Sequence, residues 1–207
     1  MAIADACLAG KIPAEVALVL SDVPDAGILE RARERGLTAE FLAPGKFRTK
    51  LDEEAERNYT ERLQAAQVDL IALAGFMRIL KGEFLRAFPS RVVNIHPSLL
   101  PAFPGLEGWK QALDYGVKVT GCTVHFVDQG IDSGPIIAQE TVPILPGDTP
   151  ASLHERIQQA ERRLYPWCVG GLAEGRVVVK GRRTQGRKSG APRILEEGVG
   201  RFACGGH

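Results

Sequence analysis

Val92-Val93-Asn94-Ile95-His96-Pro97-Ser98-Leu99-Leu100-Pro101 is the stretch on which the fold turns. Its opening residues are short, apolar and β-branched, as central strands of a parallel sheet are. Asn94 and His96, two residues apart, share one side of that strand. Pro97 has no N–H to give and stops the ladder. Polar side chains at the carboxyl end of a central strand lie where open α/β sheets bind ligands.

Reading outward, strand-like and helix-like segments alternate. Residues 69–74 form a second nearly continuous apolar run, and 16–20 a third ending at Ser21-Asp22. Residues 38–42 are a weaker strand. Helical spacing marks 2–9, 28–35 and 50–66, with Gly36 placed as a C-cap. On the other side, 121–127 alternates Cys122, Val124 and Phe126 with Thr123, His125 and Val127. Residues 135–142 follow a Gly-containing turn, so these two strands are expected to pair antiparallel. Thr149 offers an N-cap oxygen to a helix over 149–165, whose stripe is Leu153, Ile157, Ala160 and Leu164. Residues 177–179 add an edge strand. The alternation predicts an α/β fold in three layers, a largely parallel twisted sheet with helices on both faces.

The chain has 207 residues, 44% apolar and 25% charged, enough for one core and not the composition of a disordered chain. No apolar run nears the ~20 residues a membrane span needs, and the first residues are no secretory signal. The expected compartment is the cytoplasm, with no membrane partner. Cys7, Cys122, Cys168 and Cys204 show no paired spacing and are expected to be reduced. His154 and His207 have no partner at metal-ligand spacing, so no metal is expected. From Arg176 onward there are eight Lys and Arg against two Glu, a net of +6, and the first 175 residues carry −5. That basic stretch has many glycines and no interleaved aromatics. It reads as a poorly ordered tail over 180–207, following a domain over 1–179, rather than a nucleic-acid contact.

A second signal is Asp128-Gln129-Gly130-Ile131-Asp132-Ser133-Gly134-Pro135. Asp and Gly dominate plain turns. Equally, a carboxylate beside His96 would orient its ring and favour the protonated form. Both readings stand on the residues alone.

At these positions the chain resembles the glycinamide ribonucleotide formyltransferase (phosphoribosylglycinamide formyltransferase) family. The matching pieces are Ala74-Gly75-Phe76-Met77-Arg78-Ile79-Leu80, the run from Asn94 to Pro101, Pro104-Gly105, Gly121-Cys122-Thr123-Val124-His125-Phe126-Val127 and Asp132-Ser133-Gly134-Pro135. The Asn-His-Asp set belongs to the wider folate-dependent formyltransferase superfamily. The resemblance implies transfer of a formyl group from 10-formyltetrahydrofolate to the amine of glycinamide ribonucleotide in purine biosynthesis. By similarity Asn94 donates to the formyl oxygen, His96 is the general acid/base and Asp132 tunes it. Folate contacts are implied for Lys50, Met77, Arg78, Ile79, Leu80, Asn94 and the loop Asp128, Gln129, Gly130, Ile131, Asp132. Lys50 stands where the family often has Arg, a point charge instead of a fork. Gln158 and Glu161 match helix positions contacting the glycinamide substrate. His125 matches a position near the site, yet a packed strand histidine fits equally well.

The family opens with a strand and a Gly-rich phosphate loop, whereas the match here begins at Ala2-Ile3-Ala4-Asp5-Ala6-Cys7. The expectation is that Met1 is not the natural start, with a truncated chain as the alternative. Partners are expected to be small molecules, with a monomer or homodimer as the assembly. About 28 residues follow Val179, too few for the nucleic-acid-binding domain that methionyl-tRNA formyltransferases add. A sugar-amine formyltransferase and a weakly active folate-binding remnant stay open.

Overall fold

The computed structural model describes residues 1–186 and 200–205. In chain order its elements are α1 (Ala2–Leu8), β1 (Ala14–Ser21), α2 (Gly27–Arg33), β2 (Ala39–Phe41), α3 (Glu53–Ala65), β3 (Leu70–Leu73), α4 (Gly82–Ala87) and β4 (Val92–His96). They continue with α5 (Gly108–Tyr115), β5 (Val119–Phe126), β6 (Ile136–Pro143), α6 (Pro150–Ala173), β7 (Val177–Lys180), β8 (Arg183–Gly186) and β9 (Gly200–Gly205). The strands form one sheet of order β2-β1-β9-β3-β4-β5-β6-β8-β7. From β2 to β4 every neighbour runs parallel. β5 reverses against β4, and β6 pairs antiparallel with β5, the pairing expected from the Gly-containing turn between them.

Strand alternation divides the core into two layers, one on each face. Leu70 and Ala72 of β3 pack with Ile3 of α1 and with Tyr165, Val169 and Leu172 of α6. Ile71 and Leu73 point the other way, toward Ala55, Tyr59 and Leu63 of α3 and Phe84 of α4. Short strands buried on both faces need apolar residues at successive positions, which is why their sequences show runs rather than alternation.

Two helices, α3 and α6, start where their sequences supply side-chain caps. Asp52 accepts the Ala55 N–H at 3.0 Å, and Glu53, Glu54 and Glu56 sit at the positive end of the α3 dipole. Thr149 and Ser152 form a reciprocal capping box, with Pro150 in the first turn of α6. α6 then runs through Pro166 to Ala173, past the expected end at 165. Proline forfeits one backbone bond. The burial of Cys168, Val169 and Leu172 beyond it offsets that loss. Tyr165, just before the proline, brings its hydroxyl within 2.8 Å of Leu73 O and 3.0 Å of Val93 O, tying α6 to β3 and β4.

β8 and β9 overturn the reading of residues 180–207 as a tail without order, for Arg183–Gly186 and Gly200–Gly205 respectively. β9 lies between β1 and β3, parallel to both, with Phe202 opposite Leu70 and Cys204 opposite Ala72. Phe202 and Cys204 enter one core layer and Ala203 the other. The segment is only six residues long and glycine-flanked, so its apolar content carries no periodicity. Residues 187–199 and 206–207 of the expected tail lie outside the described residues.

Candidate active site

β4 ends at the site. Asn94 and His96 are its third and last residues, paired across β5 with His125 and Thr123. Parallel register places Leu73, the last residue of β3, beside Asn94, so the segment 74–80 leaves the sheet at the same end. Asp132 reaches the site from the β5–β6 loop, with a left-handed backbone at φ 49°.

Each ring nitrogen of His96 faces an acceptor. Nε2 lies 2.9 Å from Phe103 O, and Nδ1 lies 3.3 Å from Asp132 Oδ2. A ring carrying both N–H donors satisfies both contacts. A ring with one N–H sets a lone pair against an oxygen. The Phe103 side is closed: a Cβ on Gly108 would stand 2.9 Å from His96 Nε2 and 3.0 Å from Phe103 O, so only glycine fits there without displacement. The Asp132 side is more open, with the carboxylate 14% exposed and the ring 5%. The backbone N–H of Gly105 donates to Asp132 Oδ2 at 2.8 Å, fixing that carboxylate in place.

The floor of the loop after β4 is pinned by polar groups that are fully used. Thr123 Oγ1 donates to Ser98 O at 2.7 Å and accepts from Leu100 N and Gln139 Nε2. Gln139 Nε2 also donates to Leu100 O, and Ser98 Oγ donates to Ala102 O. These bonds hold the chain so that Phe103 O meets His96.

The remaining predicted residues divide by what they touch. Asp128 is spent on its own loop, accepting from Gly130 N at 3.0 Å and Ser133 Oγ at 2.6 Å. Arg78 is spent on the scaffold: its Nε lies 2.5 Å from Asp22 Oδ2, and its guanidinium also donates to Phe47 O and Arg48 O. Leu80 is buried in the α3 layer, whereas Met77 and Ile131 are exposed on the loops beyond β3 and β5. The Ile79 N–H bonds to Thr49 O, which sets Lys50 beside Ile79, and the Lys50 ammonium stands 4.4 Å from the centre of the Phe47 ring. Gln129 and Gly130 are exposed. Gln158 and Glu161 lie one turn apart on α6 and make no hydrogen bond to Asn94, His96 or Asp132 among the described residues. Gln158 Nε2 is 3.4 Å from His154 Nε2, and His154 stacks on Trp109 at 3.8 Å between ring centres. Burial pushes the Glu161 carboxyl up to about 7.

The structure thus brings together Asn94, His96 and Asp132, and adds His125. The His125 Nε2 lies 3.4 Å from Asn94 Nδ2 and 3.7 Å from Asp132 Oδ1. Sequence reasoning missed the backbone groups of Phe103 and Gly105 and the close approach of Gly108. No side-chain pattern advertises a carbonyl oxygen. The four cysteines are free thiols, three of them buried, and no metal-binding cluster of His, Cys, Asp or Glu occurs among the described residues. Among the described residues no helix is long and apolar enough to cross a membrane.

The family profile described as formyl transferase matches residues 1–169. Phosphoribosylglycinamide formyltransferase of Mycobacterium tuberculosis is 46% identical over 185 residues, 86% of this chain and 82% of that protein. The Escherichia coli protein of the same name is 40% identical, over 85% and 82%. The crystal structure of glycinamide ribonucleotide transformylase 1 from Symbiobacterium toebii superposes with a TM-score of 0.86 at 52% identity, covering 90% of this chain and 87% of that one. Against the trifunctional purine biosynthetic protein adenosine-3 of Drosophila melanogaster the chain is 47% identical but spans only 12% of that protein's length. The chain belongs to the formyl transferase family.

Proposed function

We propose that the protein is a phosphoribosylglycinamide formyltransferase, moving the formyl group of 10-formyltetrahydrofolate to the amine of glycinamide ribonucleotide. The observation that carries the proposal is the convergence of an amide, an imidazole and a carboxylate, Asn94, His96 and Asp132, at the carboxyl end of β4. The names of the high-coverage relatives support the choice of substrates.

Formyl transfer is acyl transfer. The amine attacks the formyl carbon and an oxyanion forms. The carbon–nitrogen bond to the folate then breaks, while the attacking nitrogen loses a proton and the leaving nitrogen gains one. Asn94 Nδ2 supplies the oxyanion donor. His96 holds and returns the proton, and Asp132, 3.3 Å away, stabilises the positive charge on the ring while it does so. Met77 and Ile131, exposed on the two loops at this end of the sheet, offer apolar surface for a flat pterin ring. Lys50 provides a cation for the glutamate end of the folate. Gln158 and Glu161 are proposed to meet the glycinamide substrate from α6.

A two-substrate assay decides the matter. Formyl-glycinamide ribonucleotide should appear only when both compounds are supplied. Release of formate without the amine substrate would instead indicate hydrolysis. A sugar amine outcompeting glycinamide ribonucleotide would reassign the acceptor, and folate binding without turnover would mark a binding remnant.

A further inference from the structure

We propose that His125 is a positioning residue that locks the amide of Asn94, so that Nδ2 and not Oδ1 faces the reacting formyl oxygen. The inference rests on the formyl-transfer reading for its consequence, but the contact itself stands on geometry alone.

The pair is fixed by the sheet. Asn94 and His125 are directly opposite each other in the antiparallel β4–β5 register, so their side chains share one face. His125 is 2% exposed. Its Nδ1 lies 2.9 Å from Phe126 O, an acceptor only, so Nδ1 must carry the hydrogen. Nε2 is then left with a lone pair, and Asn94 Nδ2, 3.4 Å away, is a donor.

An asparagine amide is nearly symmetrical in shape but not in polarity. Turned by half a rotation, it would set Oδ1 against the Nε2 lone pair and leave Oδ1 facing a developing oxyanion. The histidine acceptor makes that orientation repulsive at both ends. In the orientation seen, one N–H of Nδ2 goes to His125 and the second is free for the formyl oxygen.

The lock works only while the ring is neutral, because a protonated Nε2 would turn from acceptor to donor and swing toward Asp132 Oδ1, 3.7 Å away. Burial holds the ring's pKa below its usual value and His96 adds to that, while Phe126 O and the carboxylates of Asp132 and Asp128 oppose it. A packing role alone does not account for this ring. An apolar side chain fills such a space without desolvating two nitrogens.

Three measurements test the proposal. In long-range ¹H–¹⁵N NMR spectra of the wild-type protein, His125 should appear as the Nδ1–H tautomer throughout pH 6–8. An Nε2–H tautomer, or titration in that window, would overturn the lock. His125→Leu should lower kcat by roughly tenfold or more, bounded by the ~10²–10³ that a whole oxyanion donor is worth, with KM for the folate changed less than about twofold. His125→Gln, whose amide oxygen can also accept, should recover much of that loss.

On an Asn94→Ala background His125→Leu should cost under about threefold, because the group it positions is gone. Equal losses on both backgrounds would refute positioning. If His125→Leu fails to fold, the NMR result and His125→Gln decide. If wild-type protein makes no formylated product while the tautomer is as stated, the function reading fails and the amide lock survives.

Discussion

Asp132 Oδ2 stands 3.3 Å from His96 Nδ1 while accepting the Gly105 N–H at 2.8 Å, so one oxygen joins the end of β4 to two loops. Asp132→Asn keeps the shape and can still accept from Gly105, but removes the charge facing the imidazole. General acid–base assistance is worth ~10²–10⁴ in rate. The variant should therefore lose at least ~10² in kcat with its melting temperature nearly unchanged. Steady-state kinetics alongside thermal denaturation check this, and near-native turnover would remove Asp132 from the proton-handling role.

Asn94 should behave differently. Asn94→Ala deletes a donor used only as negative charge develops, so kcat should fall ~10²–10³ and KM for either substrate should hardly move. A rise in KM with kcat intact would mean that the amide binds the ground state and does not act on the oxyanion.

Much of this site was legible in the sequence because its parts are local. Asn94, His96 and Pro97 announce a strand end by themselves, and two-residue spacing fixes their shared side. The convergence of Asp132 with His96 was not, since 36 positions separate them and only the β4–β5 register closes the distance. His125 could be assigned only once that register set it opposite Asn94. Arg78 and Asp128 illustrate the reverse. They lie in the matched segments, yet folding spends their side chains on Asp22 and on Gly130 and Ser133. β9 was illegible for a third reason: six residues buried on both faces carry no repeat, and the basic, glycine-containing sequence before them resembles a tail.

That strand carries the next prediction. Phe202 is fully buried between β1 and β3, in the layer shared with α1 and α6. Truncating a core phenylalanine to alanine costs ~3–5 kcal/mol. Phe202→Ala should therefore lose much of the stability of a domain this size, and a chain ending at 199 should unfold without a cooperative transition, since both β1 and β3 would lose a ladder. Chemical denaturation curves matching wild type would show that residues 200–205 are dispensable to the sheet.

Glu161 makes stability depend on pH in the direction opposite to most carboxylates. Its pKa rises from an ordinary 4.5 to about 7 because burial disfavours the charged form, partly opposed by Arg162. Below pH 4.5 the group is protonated in folded and unfolded chains alike and costs nothing. As pH rises toward 7 the unfolded chain ionises first, so the folded state loses ground, and above 7 the penalty is constant. Glu161→Gln, neutral throughout, should match wild type in melting temperature near pH 4.5 and exceed it by several degrees at pH 8. A difference that stays flat between those values would mean that Glu161 titrates as an ordinary surface carboxylate. Substrate groups that donate hydrogen bonds to the ionised carboxylate would narrow the gap. Saturating glycinamide ribonucleotide should therefore raise the wild-type melting temperature at pH 8 more than that of the glutamine variant.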